Sequence, residues 1–345
     1  MEQLLGAQQL LLPEMTSLLQ KRYRILLTIH ISSGIGRRAL GDIVHLTERE
    51  TRRESDILRA QGLINVLTGG MVITQEGIDV LTILKDLVHE WSGSTDMEKQ
   101  LEQTFNLARV IIVPGDTETE NTAKSLLGQE AAKQLELFSN EQDIVAVTGG
   151  STIAQIANHL SVHIKPKNLV FVAARGGIGN NAELQANNIS ASFAKQASGT
   201  SRTLYLPDHL SEAAYTAMIK EPVIKEMMDL YDRTNIVIHG IGDAKEMARR
   251  RNSSDDELTK IIEAKAVGEA FGYYFNEQGE AVHRIRTVGI QLKQLEHVKH
   301  LIAVAGGASK ASAILSYLKH APEQTVLITD EGAAKKIIQL LSNEN

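Results

Sequence analysis

Three glycine-rich segments of this 345-residue chain carry residue types that bind anions. Val147-Thr148-Gly149-Gly150-Ser151-Thr152-Ile153 follows an apolar run and opens a helical stretch. Ala305-Gly306-Gly307-Ala308-Ser309-Lys310 has the same setting, and Ala174-Arg175-Gly176-Gly177-Ile178-Gly179 follows the apolar run 169–173. Glycine lets backbone approach a ligand closely, amides at a helix start point at an anion, and Ser or Thr hydroxyls add donors. Lys310 contributes a point charge and Arg175 a guanidinium. A single loop of this kind is more often plain turn geometry. Three of them, with hydroxyls and cations, point to a phosphate site. None fits GxxxxGK[ST], and Gly176-Gly177-Ile178-Gly179 lacks G-x-G-x-x-G spacing, so neither a P-loop nor a dinucleotide fingerprint is supported. Arg249-Arg250-Arg251, shortly after Gly240-Ile241-Gly242-Asp243, adds a basic cluster. One of its arginines can reach a second phosphate while the others face solvent.

A different chemistry lies nearer the N-terminus, in Thr47-Glu48-Arg49-Glu50-Thr51-Arg52-Arg53-Glu54. Arg49, Arg52 and Arg53 can fork onto guanine or clamp phosphate, and Thr47, Thr51 and the helix start can bond phosphate oxygens. Arg37 and Arg38 precede them. Between Lys21 and Arg59 nine basic residues face five acids, a net +4 in a chain whose net charge is −6. A local basic patch of this kind can hold a nucleic-acid backbone while the rest of the chain stays acidic. The plainer alternatives are a salt-bridged helix face or a trihelical protein-interaction domain. The arginine cluster and the hairpin that follows favour groove reading.

The elements that must position these residues follow from apolar spacing. Met15, Leu18, Leu19, Ile25, Leu26 and Ile29 mark a helix over 14–32, with Pro13 suited to its start. Ser32-Ser33-Gly34-Ile35-Gly36 breaks it. A short helix follows, with Leu40, Ile43 and Val44 inward. Thr47 and Glu50 form a capping box for a third helix that ends at Gln61-Gly62, whose Ile57 and Leu58 pack inward. Residues 63–66 and 71–73 read as strands around Thr68-Gly69-Gly70. A further helix runs from Gly77 to Trp91. Three helices and a two-stranded wing suffice to place one helix in a major groove.

Ser92-Gly93-Ser94 reads as the boundary between domains 1–91 and 92–345. Beyond it, Met97, Leu101 and Phe105 mark a helix. Apolar runs at 110–113, 144–147, 169–173, 204–206, 236–238, 301–305 and 326–328 then alternate with helical stretches. Continuous apolar runs joined by helices indicate parallel strands buried on both faces, hence an α/β, Rossmann-like, mostly parallel-sheet domain. In such sheets ligands bind beyond the carboxyl ends of the strands, where all the glycine loops lie. Residues 271–275 and 281–285 read as one hairpin inserted into that domain.

Composition excludes other classes. There is no cysteine, which rules out disulfides, thiolate catalysis and zinc ribbons and fits a reducing, cytoplasmic setting. No metal set and no cofactor are expected. No run approaches the ~20 apolar residues of a membrane span, and MEQLLGAQQLLLPEM lacks the basic region of a signal peptide.

These segments together resemble the SorC family of bacterial sugar-responsive regulators. The resemblance covers nearly the whole chain. It is carried by Gly36-Arg37-Arg38, Val145-Ala146-Val147-Thr148-Gly149-Gly150, Ala174-Arg175-Gly176-Gly177 and His239-Gly240-Ile241-Gly242. Arg249-Arg250-Arg251-Asn252, Glu269-Ala270-Phe271-Gly272-Tyr273-Tyr274-Phe275-Asn276, Ala303-Val304-Ala305-Gly306-Gly307 and Thr329-Asp330-Glu331-Gly332-Ala333-Ala334-Lys335-Lys336 carry the rest. It implies a repressor of a glycolytic operon that binds operator double-stranded DNA, with fructose 1,6-bisphosphate as inducer. It implies a sensor domain related to sugar-phosphate isomerases but without their activity. It further implies ligand contacts from Gly149, Gly150, Ser151, Thr152, Arg175, Gln185, Arg250, Glu269 and Lys310, and a homodimer or homotetramer, the tetramer loosening on the operator when sugar binds. Ser151 stands where the family has threonine, which keeps the hydroxyl and loses a methyl.

On the residues, Ser151, Thr152 and Lys310 would hold one phosphate and Arg175 or Arg250 the other, while Gln185 and Glu269 share hydrogen bonds with sugar hydroxyls. The alternatives are a sugar-phosphate isomerase or deaminase using Glu269 or His239 as acid or base, and an interaction protein with no small ligand.

Overall fold

The computed structural model describes residues 10–177 and 182–344. The N-terminal stretch read above for a signal, up to residue 9, and Ile178 and Gly179 of the third glycine loop lie outside them. The chain divides into two compact units, Met1–Asp96 and Met97–Asn345. The division falls a few residues beyond the Ser92-Gly93-Ser94 break, inside a helix.

In the first unit, helix α1 (Pro13–Ser32), α2 (Arg37–Val44) and α3 (Glu48–Ala60) are followed by strands β1 (Ile64–Leu67) and β2 (Gly70–Ile73) and helix α4 (Gln75–Trp91). Their shared core is aliphatic, built on Ile25, Leu26, Ile29, Leu40, Leu58, Ile64 and Met71. Thr47 caps α3 with the expected box: its hydroxyl accepts from the Glu50 amide at 3.3 Å, and the Glu50 carboxylate accepts from the Thr47 amide at 3.1 Å. The wing is tied to the α1–α2 turn. Gly34 donates to Met71 O and the Met71 amide donates to Ile35 O. Gly70 must be glycine there: its φ is +118°, and a Cβ would lie 2.1 Å from Gly34 O.

The second unit begins within α5 (Ser94–Phe105) and is built on seven strands: β3 (Arg109–Val113), β4 (Ile144–Val147), β5 (Val170–Ala173), β6 (Thr200–Arg202), β7 (Ile236–His239), β12 (His300–Val304) and β13 (Thr325–Asp330). All neighbours are parallel, in the order β3-β13-β12-β7-β4-β5-β6. Helices α6 (Asn121–Phe138), α7 (Ser151–Ile156), α8 (Ala186–Ala197), α9 (Glu212–Met218), α10 (Pro222–Asp232), α14 (Ala311–Leu318) and α15 (Glu331–Glu344) lie between or after these strands. From β4 the chain winds outward through β5 and β6, then returns to β7 and continues the other way. The gap between β4 and β7 is therefore the topological switch point, where crevices form in doubly wound sheets.

Two expectations are corrected here. The last strand on the β6 side is Thr200–Arg202, not 204–206. An edge strand pairs on one side only, so it need not be apolar. Leu204 is buried from a loop, its amide and carbonyl bonded to the Asn187 side chain instead of a ladder. The 271–285 hairpin is not a lone insertion. Strands β8 (Gly242–Asp243), β9 (Ala266–Ala270), β10 (Tyr273–Asn276) and β11 (Ala281–Arg284) form a separate antiparallel sheet in the order β11-β10-β9-β8. Helices α11 (Ala244–Arg250) and α12 (Asp255–Glu263) join β8 to β9, and α13 (Leu292–Leu295) follows β11. Strand β9 reads Ala-Val-Gly-Glu-Ala, too poor in large apolar residues to show as a strand.

Candidate functional site

A cavity of about 400 Å³ opens at the switch point, within the size range of small-molecule sites. Four strand ends contribute. Thr148 to Ile153 come from the end of β4 and the start of α7; Arg175 and Gly176 follow β5; Gly240 to Gly242 follow β7; Val304 ends β12, and Ala305 and Lys310 follow it. Gly149, Gly150, Ser151, Thr152, Arg175, Gln185, Arg250, Glu269 and Lys310 all line it.

Their roles divide by charge state. Arg175 is buried and salt-bridged. Its Nε and Nη2 donate to the two oxygens of Asp208 at 2.6 and 2.8 Å, and Nη1 donates to Glu269 Oε1 at 3.1 Å. Arg251 completes the cluster, donating to Asp208 Oδ2 at 2.8 Å, Glu269 Oε1 at 2.8 Å and the Tyr274 hydroxyl at 2.9 Å. Burial works to raise the Asp208 carboxyl, but the two guanidiniums overcome it and hold the group below the usual carboxylate range. Arg251 is held above its ordinary value: burial opposes the charge, and Glu269 and Asp208 outweigh it. Two cations and two carboxylates therefore compensate one another.

The expectation that Arg175 offers a free charge to a phosphate is corrected on this ground: its charge is already matched. Three of its five N–H donors are committed to Asp208 and Glu269. The reading that only one of Arg249, Arg250 and Arg251 turns inward also changes: Arg250 lines the cavity with its side chain half exposed and bonded to Glu246, while Arg251 is buried below it.

Cations outside the Asp208–Glu269 cluster also reach the cavity, Arg250 among them in its pair with Glu246. Lys310 and Arg250 line the cavity near Ser151 and Thr152. Lys124, on α6, donates to Ser151 Oγ at 2.9 Å. The second glycine loop is a poorer cradle than its sequence suggests. Asp330 already accepts from the Gly307 amide at 2.8 Å, and Glu118 accepts from the Ser309 amide at 2.9 Å and from its hydroxyl. What that loop adds to the cavity is Lys310.

Asp208 and Lys124 were missed by sequence reasoning, and Arg251 was named only as one of a three-arginine cluster. Asp208 stands in an irregular segment with no motif, and Lys124 looks like any lysine of an amphipathic helix. The one readable signal was glycine: a Cβ at Gly272 or Gly289 would lie 2.7 or 2.9 Å from Arg175, so both make room for its side chain. His239, the alternative acid or base, does not line the cavity. It is fully buried, its Nδ1–H donating to Gly240 O and its Nε2 accepting from the Tyr317 hydroxyl, and burial holds it down at about 4.

On α3 the buried residues Thr51, Glu54, Ser55 and Leu58 define the inward face, so Arg49, Arg52 and Arg53 lie together on the outer one. Arg38, Arg49 and Arg52 are exposed and make no salt bridge among the described residues. Three expectations change. Thr51 is fully buried, its hydroxyl donating to Thr47 O, and cannot reach a phosphate. Arg53 and Arg22 both bond the buried Glu54, at 2.8 and 2.9 Å. Arg37 pairs with Asp56 at 3.1 Å. Part of the basic patch holds the unit together.

Residues 18–88 match the CggR N-terminal DNA binding domain family, and residues 89–339 match the Sugar-bind family, a sugar-binding domain. The chain is 44% identical to the central glycolytic genes regulator of Bacillus subtilis over 98% of its own length and 99% of that protein. The chain belongs to the SorC family of transcriptional regulators. Members of this family are transcriptional regulators, not enzymes. A SorC family regulator of Enterococcus faecalis shares 42% identity and a TM-score of 0.67 over 70% of this SorC-family chain and 99% of the other. The full-length sorbitol operon regulator of Klebsiella pneumoniae, at 16% identity, shares the fold with a TM-score of 0.65 over 91% and 97% of the two chains. No helix among the described residues is long and apolar enough to cross a membrane.

Proposed function

We propose that this SorC-family protein represses glycolytic genes and that a phosphorylated sugar, fructose 1,6-bisphosphate, loosens its hold on operator DNA. The observation that carries the reading is the convergence of hydroxyls, Lys310 and Arg250 in one cavity at the sheet's switch point. The relatives named central glycolytic genes regulator in Bacillus subtilis and Priestia megaterium, each 44% identical, support the gene class. One phosphate sits at Ser151, Thr152 and Lys310. The sugar hydroxyls meet Gln185, Glu269 and the remaining donors of Arg175. The second phosphate meets Arg250 at the rim. Arg38, Arg49, Arg52 and Arg53, with the cap residue Thr47 and with Arg37, face the DNA. The protein acts in the cytoplasm as a homodimer or homotetramer, since paired reading heads match paired half-sites.

The test is a gel-shift titration of operator complexes with a panel of sugar phosphates. Fructose 1,6-bisphosphate is expected to release or alter the complex while fructose does not. Arg52→Ala is expected to weaken operator binding and lower its salt slope by about one unit, leaving the sugar-induced rise in melting temperature intact. Operator complexes indifferent to every phosphosugar would sink the reading.

A further inference from the structure

The phosphate end of the cavity is backed by a residue that does not line it. Lys124 Nζ donates to Ser151 Oγ at 2.9 Å, reaching across from α6 to the first residue of α7. An ammonium has donors and no acceptor, so this bond uses a lone pair of the serine oxygen. The serine's own hydrogen must then turn elsewhere, and Ser151 lines the cavity. Among the described residues no other hydrogen-bond partner of Ser151 Oγ is present. Lys124 is half-buried, and Lys310 and Arg250 are close enough for their charges to act on it.

Building on the phosphosugar reading above, we propose that Lys124 is a positioning residue of the effector site: it fixes the Ser151 hydroxyl as a donor aimed at a bound phosphate and supplies, beside Lys310, a second cation that selects a dianion over a neutral hydroxyl. Burial holds the Lys124 amine below its ordinary range, and repulsion from Lys310 and Arg250 lowers it further. A dianion is attracted by this clustered positive charge. A sugar hydroxyl, which can donate as well as accept, gains nothing from it.

The test is calorimetric titration of the full chain with fructose 1,6-bisphosphate at fixed ionic strength. Lys124→Met is expected to weaken binding by about ten- to a hundredfold, the range for a hydrogen bond to a charged group. Lys124→Arg, which keeps charge and donors, is expected to retain most of the affinity. Lys133→Met removes an exposed cation of the same helix that pairs with Glu130 and is expected to change nothing. On a Ser151→Ala background Lys124→Met is expected to cost much less, since the two act through one bond. Melts of the unliganded variants check folding, with Lys124→Gln used if the methionine variant melts early. Wild-type binding with Lys124→Met within twofold of it, or fully additive losses, overturns the role of Lys124 and leaves the phosphosugar reading standing. Wild-type protein that takes no phosphosugar overturns that reading itself, and this one with it.

Discussion

Asp208 bonds two guanidiniums at once, as Glu269 does, and the two carboxylates together set the charge of the site. With both oxygens committed to Arg175 and Arg251, it joins Glu269 in balancing the two buried cations. A buried ion pair is costly to assemble, but removing one partner costs more, because the other is left charged and unpaired. Asp208→Asn should therefore destabilise the protein by about 3–5 kcal/mol in urea melts. It should also blunt any sugar-induced stabilisation, since Arg175 would drift toward Glu269. A loss under about 1 kcal/mol would show that Glu269 alone compensates both arginines.

At the scale of elements, the DNA-binding unit depends on a turn touching a wing. Gly34 and Gly70 approach so closely that a Cβ on Gly70 would lie 2.1 Å from Gly34 O. Gly70→Ala must displace the hairpin or strain a φ of +118°, and should cost roughly 1–3 kcal/mol. Gly69→Ala, one residue away, has open space around it and should change stability by no more than about 0.5 kcal/mol. Thermal melts of the two variants compare them directly; equal midpoints would mean the wing does not need the close approach. A wing displaced this way should weaken operator binding and leave the sugar response in the other unit untouched.

At the scale of the whole molecule, the parallel sheet buries groups that must stay neutral. His239 ends β7, locked between Gly240 O and the Tyr317 hydroxyl, and it titrates at about 4 in the folded chain against 6.5 in its ordinary state. Between those values the unfolded chain binds a proton there that the folded chain resists. The stability its neutral form contributes is thus complete above pH 6.5 and is lost as pH falls toward 4. The loss is on the order of 3 kcal/mol. His239→Gln should flatten the decline of melting temperature from pH 7 to pH 4.5, and an unchanged slope would remove His239 as its source. Tyr317 is coupled to the same site: burial pushes its hydroxyl up, so it remains a donor throughout this range.

The sequence by itself determined the alternation of apolar strand and helix, the groove-reading trihelical unit with its wing, and the glycine loops, because each is written in local spacing. Through the family resemblance it also named nine of the residues that line the cavity. Only the tertiary structure decided which charges remain available. Arg37 looks in sequence like Arg38, and Arg175 like any cation of a glycine loop. They differ because Asp56 and Asp208, distant in the chain, meet them in space. Thr51 was lost to the core for a similar reason: the helix turns it toward Gly41, where a Cβ would lie 2.9 Å from its hydroxyl. Strand β9 and edge strand β6 escaped because small or polar residues suffice where ladder bonds or a neighbouring loop supply the burial. Local pattern fixes which face a residue occupies; whether its charge is free depends on what the folded chain brings against it.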